Sequence, residues 1–315
     1  MNASAVDKRI RSLRPPKPHV DPFRAHGSLI EDERRPNGAI ERALTIFLAG
    51  AECPFTCSFC DLWRWTIDGP TPPGAIAKQV RDMLETSPPA ERIKLYNASN
   101  FFDRRAVPDE DVRAIAELVQ SFAGVTVETH ARTIGDATLD FARALRGRLE
   151  VAVGLETIHP EAMSHLNKRL DLDRFERAAR FLRDNDIDLR VFVLLGTPYV
   201  PPDESVSWTV RTVEYAAQRG ASVVSVIPVR GGNGEMERLQ SLGHFTPPTL
   251  TQLEQSLDRC AALALPGTVV TADLWDADRL PACEHCRSQR IDRLRCFNVA
   301  GVAALRMDCF DCEGR

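Results

Sequence analysis

The 315-residue sequence is 43% hydrophobic and 27% charged, with a formal net charge of −4. That apolar share supports a packed core for one large domain and a smaller one, and excludes disorder as the prevailing state. Mild acidity excludes an indiscriminate nucleic-acid binder, and the longest apolar runs, such as Val191–Leu195, fall far short of the ~18 residues of a membrane span, so no membrane association is expected.

Residues 1–40 are rich in Pro, Arg and His and read as an irregular basic leader, crowded with Lys8, Arg9, Arg11, Arg14, Lys17 and Arg24. Such a cluster is either a solvated surface or a contact for a polyanion. The opening lacks the apolar segment of a secretory signal, and a cytoplasmic location is expected.

From about residue 41 to 240 a repeating order takes over. Strand-like runs at Leu44–Ala49, Ile93–Tyr96, Val125–Glu128, Leu149–Val153, Leu189–Leu195 and Ser222–Ile227 alternate with helical periodicity at Ile76–Leu84, Asp109–Phe122, Ala137–Leu145, Asp173–Asp184 and Ser205–Arg219. Strands separated by helical crossovers pair in parallel, so the alternation predicts an α/β fold, a partial (βα)6 TIM-type barrel with nearly continuously apolar strands. Polar residues gather where each strand ends, which in barrels is the face that carries the active site. Residues 245–315 form a small extension: a helix-like stretch (Thr249–Leu263), a further strand candidate (Thr268–Ala272) and a Cys-rich tail.

Eight of the nine cysteines fall in two groups, Cys53, Cys57, Cys60 and then Cys283, Cys286, Cys296, Cys309, Cys312; Cys260 stands alone in a helical stretch and reads as a small buried residue. Closely spaced cysteines without a secretory signal read as metal or redox ligands. The first group spells C-x3-C-x2-C just after the first strand. Three thiolates on one tight loop can hold an iron–sulfur cluster or zinc, and three ligands leave a position open.

With the aromatic Phe59 before its last cysteine and its place after the first strand of a β/α series, this motif resembles that of the radical S-adenosylmethionine (SAM) enzymes, over roughly residues 44–234. A zinc loop completed by His130 or a tail cysteine is the alternative. The resemblance implies that Cys53, Cys57 and Cys60 hold a 4Fe–4S cluster whose open iron is chelated by SAM, that SAM is cleaved by one electron to a 5′-deoxyadenosyl radical, and that the electron comes from a flavodoxin- or ferredoxin-type donor. It further implies SAM contacts at Phe59, at Asn97, Ser99 and Asn100 after the second strand (where the family's usual glycines are absent), at Glu128 for the ribose, at Gly154 and Glu156, at Lys168 or Arg169 for the carboxylate, and at the Gly196 and Ile227 turns. Singly, each of these is as well explained by an ordinary strand-end turn or a surface ion pair.

In the tail, Cys283-x2-Cys286 and Cys309-x2-Cys312 form two knuckles that read as a tetrahedral four-thiolate zinc site, with Cys296 as a further candidate. A second iron–sulfur cluster and simple apolar burial are the alternatives. Arg287, Arg290 and Arg293 share a helical face beside the knuckles, either solvated or facing phosphates.

The strand-end signatures around Asn97–Asp103, Gly154–His159 and Leu166–Arg169 resemble the branch with methylthiotransferases, elongator-type tRNA-modifying enzymes and archaeosine synthase, which implies RNA as one candidate substrate. Against it stand the acidic balance and the lack of an acetyltransferase or N-terminal cluster domain. A small-molecule or lipid radical SAM enzyme, or a non-catalytic zinc-knuckle protein on a degenerate barrel, are the other readings. Asp103, Glu128, His130, Arg230 and Asn233 are the candidates for the substrate side, beside the Gly231–Gly234 run.

Overall fold

The computed structural model describes residues 3–302, 305–306 and 309–313. Among these, eight strands form one sheet in which spatial order follows chain order. β1 (Gly27–Arg34) runs antiparallel to β2 (Ile40–Phe47). All later neighbours are parallel: β3 (Arg92–Tyr96), β4 (Gly124–Glu128), β5 (Arg148–Glu156), β6 (Asp188–Leu195), β7 (Ala221–Pro228) and β8 (Val269–Ala272).

The helices are α1 (Ala3–Leu13), α2 (Ala75–Thr86), α3 (Asp109–Leu118), α4 (Asp136–Ala144), α5 (Pro160–His165), α6 (Leu172–Asp184), α7 (Ser205–Gln218), α8 (Glu235–Ser241), α9 (Leu250–Ala262), α10 (Arg287–Ala300) and α11 (Phe310–Glu313). Their limits follow from local chemistry. Asp171 caps α6 by accepting the Arg174 amide at 2.6 Å, and Thr249 and Gln252 form a reciprocal capping box on α9. Gly301, at φ 69°, ends α10 in the left-handed conformation. No described helix is long and apolar enough to cross a membrane.

The sheet curls into a nearly closed barrel. Period-2 alternation points Leu44, Ile46, Ile93, Leu95, Val125, Val127, Val151, Val153, Val191 and Val193 outward, where they meet Ile76, Ile115, Phe175, Leu182 and Val213 of the helices in one core. The six expected parallel strands are β2–β7, and Thr268–Ala272 is the seventh, β8. Two expectations change. The leader is not irregular: it supplies α1 and the antiparallel β1. The strands are not apolar throughout, because their inward positions carry charge.

Those inward residues fill the lumen with ions. Glu150 accepts Arg190 Nε at 2.8 Å, Arg35 Nη1 at 3.1 Å and Thr126 Oγ1 at 2.9 Å. Arg190 also reaches Glu33 at 2.9 Å, and Lys94 binds Glu33 at 2.7 Å and Glu31 at 2.9 Å. Burial alone would raise the Glu33 carboxyl, but Arg190 and Lys94 outweigh it and bring it down to about 2. Glu150, wholly buried, is likewise held well below the usual carboxylate range by Arg190, Arg35 and Arg92 against the cost of burial.

No ladder joins β1 to β8 among the described residues; α10 lies against both strands instead. Asn298 of α10 mimics a neighbouring strand, accepting the Ala272 amide at 2.8 Å and donating to its carbonyl at 2.9 Å. Arg290 and Arg293, expected to be solvated or to face phosphates, instead turn onto α9. Arg290 Nη2 meets Glu254 at 2.6 Å, and the buried Arg293 meets Asp258 at 2.5 Å.

Candidate active site

The first cysteine group leaves the C-terminal end of β2, and neighbouring loops hold it in place. Just before it, Gln79 of α2 takes Ala49 on both sides, accepting its amide at 2.8 Å and donating to its carbonyl at 2.9 Å. Ala51 donates its amide to Thr71 Oγ1 at 2.8 Å, and Ile67 donates to the Gly50 carbonyl at 2.9 Å, closing the loop on itself. Within it, Asn233 Nδ2 donates to the carbonyls of Ser58 and Cys60 at 2.9 and 3.2 Å, and Asn167 Nδ2 to that of Thr56 at 2.8 Å. The Ser58 amide reaches the Leu166 carbonyl at 2.9 Å. Loops after β5 and β7 therefore fix the backbone between the cysteines before any ligand arrives.

Burial pushes all three thiols up: Cys53 above its ordinary value, Cys57 to about 12 and Cys60 well above its ordinary value. Thiols so placed ionise only beside a positive centre. A multi-iron cluster takes one thiolate per iron, which three cysteines on one loop can supply with an iron left open. Soft donors on a constrained loop fit an iron–sulfur cluster.

Around the loop, strand ends present a ring of polar groups. After β3 the chain turns through Ala98 at φ 54°, and the Ala98 amide donates to Glu128 Oε1 at 2.8 Å. Asn97 is fully buried, yet its side-chain nitrogen and oxygen have no hydrogen-bond partner, nor has Ser99 Oγ. Burial pushes Glu128 up to about 7, a rise restrained by the Ala98 and Asn97 amides.

At the end of β5, Glu156 (φ 71°) pairs with Lys168 Nζ at 2.7 Å. Gly154 makes the pairing fit: a Cβ there would lie 2.0 Å from Glu156 Oε1 and 2.7 Å from Lys168 Nζ. Burial works against the Lys168 charge, but Glu156 more than offsets it. Lys168 Nζ stands 6.0 Å from the Phe59 ring centroid.

Not every expected residue joins this group. Arg169 turns away to pair with Asp7 of α1. Gly196 (φ 76°) gives its amide to Ser205 Oγ at 2.9 Å and is backed by Pro248, whose Cδ would be 2.7 Å from an added Cβ. Ile227 packs with Phe59 and Tyr199 against a second apolar cluster of Leu194, Val229, Met236, Leu239 and Phe245. Of the substrate-side candidates, Asn233 is committed to the cysteine loop, Arg230 pairs with Asp273 at 2.7 Å, and Asp103 Oδ1 accepts the Arg105 amide at 3.0 Å. His130 stacks on Phe55 with centroids 4.2 Å apart, and burial lowers it to about 3, with Lys168 adding to the fall.

Asn167 and Asp7 were not anticipated. Asn167 bonds both Thr56 and Asp7, so α1 is fastened across the cysteine loop. Arg9–Glu235 at 2.9 Å and Arg14–Glu52 at 2.7 Å complete the attachment. Asn167 adopts φ 54°, a left-handed conformation that Asn tolerates better than most residues. Next to Cys53 a cavity of about 390 Å³ opens between Arg11, Arg14, Glu52, Asp68 and Arg105.

No protein-family model matches the chain, and no curated protein matches it either. Among solved structures it superposes on methylornithine synthase (PylB) with a TM-score of 0.55 at 14% identity, over 96% of this chain and 75% of that one. It superposes on a mutant spore photoproduct lyase holding a dinucleoside spore photoproduct with a TM-score of 0.53 at 13% identity, over 71% of this chain and 75% of the other. The fold is that of the radical SAM enzymes. A third structure, Elp3 of the archaeon Methanocaldococcus infernus, gives a TM-score of 0.49 at 11% identity over 62% of this chain, which spans only 50% of that protein's length.

Proposed function

We propose that the protein is a radical SAM enzyme, with Cys53, Cys57 and Cys60 holding a 4Fe–4S cluster and the polar ring beside them holding SAM. One observation carries this reading. The three-cysteine loop is tied in place at the mouth of a radical SAM barrel, next to buried Asn97 and Ser99 atoms that have no protein partner. An unmet buried polar group costs about 1–3 kcal/mol, and a site that retains several of them is built for a ligand. Together cluster and SAM supply reductive cleavage and hydrogen-atom abstraction.

The chain's own residues do the rest. Asn97 and Ser99 offer donors and acceptors to the polar groups of SAM. Glu128, oriented by the Ala98 amide on Oε1, stands where its carboxyl can accept from vicinal hydroxyls. Lys168, held charged by Glu156, supplies a cation for a carboxylate. Arg169 is spent on α1 and serves positioning instead. A flavodoxin- or ferredoxin-type protein supplies the electron.

RNA is the first substrate to test, because Arg11, Arg14 and Arg105 line the cavity beside Cys53. Binding through phosphates weakens steeply with salt. Anaerobic turnover against RNA and metabolite extracts, following deuterium into 5′-deoxyadenosine, decides between RNA and a small molecule. Cys57→Ala should abolish 5′-deoxyadenosine formation from SAM and dithionite; cleavage that survives the substitution overturns the assignment.

A further inference from the structure

The second cysteine group stands apart from the loop just described. Cys283, Cys286, Cys309 and Cys312 place their four sulfurs within 4.8 Å of one another, the one such gathering of three or more metal-ligating side chains among the described residues. All four are free thiols rather than disulfides. Cys286 Sγ and Cys312 Sγ are 3.7 Å apart. A tetrahedron whose corners lie ~2.3 Å from a central zinc has an edge of about 3.8 Å, so this separation suits two thiolates on one ion. A cubane cluster, with each thiolate on its own iron, needs its sulfurs spread more widely than this quartet allows.

Donors stand beside Cys283 and Cys286. The amides of His285 and Cys286 donate to Cys283 Sγ, the mark of a metal-binding knuckle turn. Cys286 is the N-cap of the 14-residue α10, where the positive end of the helix dipole faces anions. Arg290, one turn into that helix, reaches Cys286 while it pairs with Glu254. Cys296 lies exposed farther along α10 and is outside the quartet, and the exposed His285 faces Asp311 at 3.7 Å.

We propose that these four cysteines bind a single zinc ion, and that this ion fastens α10 into the gap between β1 and β8. The quartet sits at the first turn of α10, while Asn298 near its other end closes the β8 edge and Arg290 and Arg293 hold its flank to α9. α10 buries only Ile291, Leu294 and Phe297 as apolar anchors. Those pairs hold the flank and the far end of the helix, and a metal–thiolate clamp at its first turn fixes the remaining end.

The test uses the full chain. In a Cys53→Ala/Cys57→Ala/Cys60→Ala variant the loop ligands are gone, and metal analysis reports the tail alone. About one zinc per chain with no acid-labile sulfide is expected. Several irons with sulfide, a single iron, or no metal would each overturn the proposal. Adding Cys309→Ser and Cys312→Ser should remove the zinc and raise hydrogen exchange in residues 269–272 and 287–300; unchanged exchange there refutes the clamp. Should that variant fail to fold, cobalt exchanged into the intact quartet gives an independent reading. Intense tetrahedral-thiolate absorption is expected, and weak octahedral bands would refute the site. None of these readouts depends on SAM cleavage.

Discussion

Asn100 Nδ2 lies 3.3 Å from Cys53 Sγ, while the same side chain's Oδ1 accepts the His130 amide at 2.7 Å. One amide thus ties the first cysteine to the end of β4, across two strand-end loops. Asn100→Ala should lose about 1–3 kcal/mol, because the His130 amide is left buried without an acceptor. Iron retention after reconstitution should fall with it. Denaturant titration and iron analysis check this; stability and iron content both at wild-type levels would remove the role assigned to Asn100.

Glu128 supplies a pH signature of unusual sign for a carboxyl. Its pKa rises from 4.5 unfolded to about 7 folded, so between those values the folded state keeps a proton that the unfolded state has lost. This group's contribution to stability is therefore full below pH 4.5 and is lost as pH rises toward 7. Glu128→Gln should remove that component, making the variant gain on wild type steadily across the window. A constant difference between the two stability curves would contradict it.

Gly154→Ala should damage the site more than the fold. The added methyl displaces the Glu156–Lys168 pair, and overpacking of this kind costs about 1–3 kcal/mol. SAM affinity, followed by equilibrium binding to reconstituted protein, should drop well beyond what the stability loss explains. Unaltered affinity would mean Lys168 does not serve SAM.

Glu150→Ala leaves Arg190 and Arg35 facing each other's charge in the lumen with a shared partner gone. Removing one member of a buried ion network costs about 3–5 kcal/mol. Wild-type protein should also lose stability as pH falls from 4.5 toward about 2, where Glu33 protonates. Thermal unfolding of both proteins across that range is the measurement; a loss below about 1 kcal/mol for Glu150→Ala would show that water reaches the lumen.

Much of this is readable in the sequence, for reasons that differ by region. The six β2–β7 strands and their crossover helices announce themselves because Val, Ile and Leu on the outward faces pack against amphipathic helices. The cysteine loop is legible from its spacing and its place after a strand. The lumen is harder: Arg92 and Lys94 in β3, Arg148 and Glu150 in β5, and Asp188 and Arg190 in β6 alternate with apolar residues. That period-2 pattern marks a charged inner face rather than a near-continuous apolar run. α1 is hidden because its attachments, Asp7 to Arg169 and Arg9 to Glu235, join residues 162 and 226 positions apart. The partners of Arg290 and Arg293 are invisible for the same reason: a charged helical face looks solvated until α9 is seen opposite.

The ion-filled lumen also settles a choice that hydrocarbon cannot make. Sliding a strand by two residues returns every apolar side chain to its own side of the wall, so greasiness alone tolerates that error. The same slip carries each carboxylate about 6.6 Å from its cation. Glu33 answers to both Lys94 and Arg190, on two different strands, so an offset of its own strand breaks two pairs and an offset of either partner strand breaks one of them. The interior charges work as a vernier that admits a single alignment of the staves.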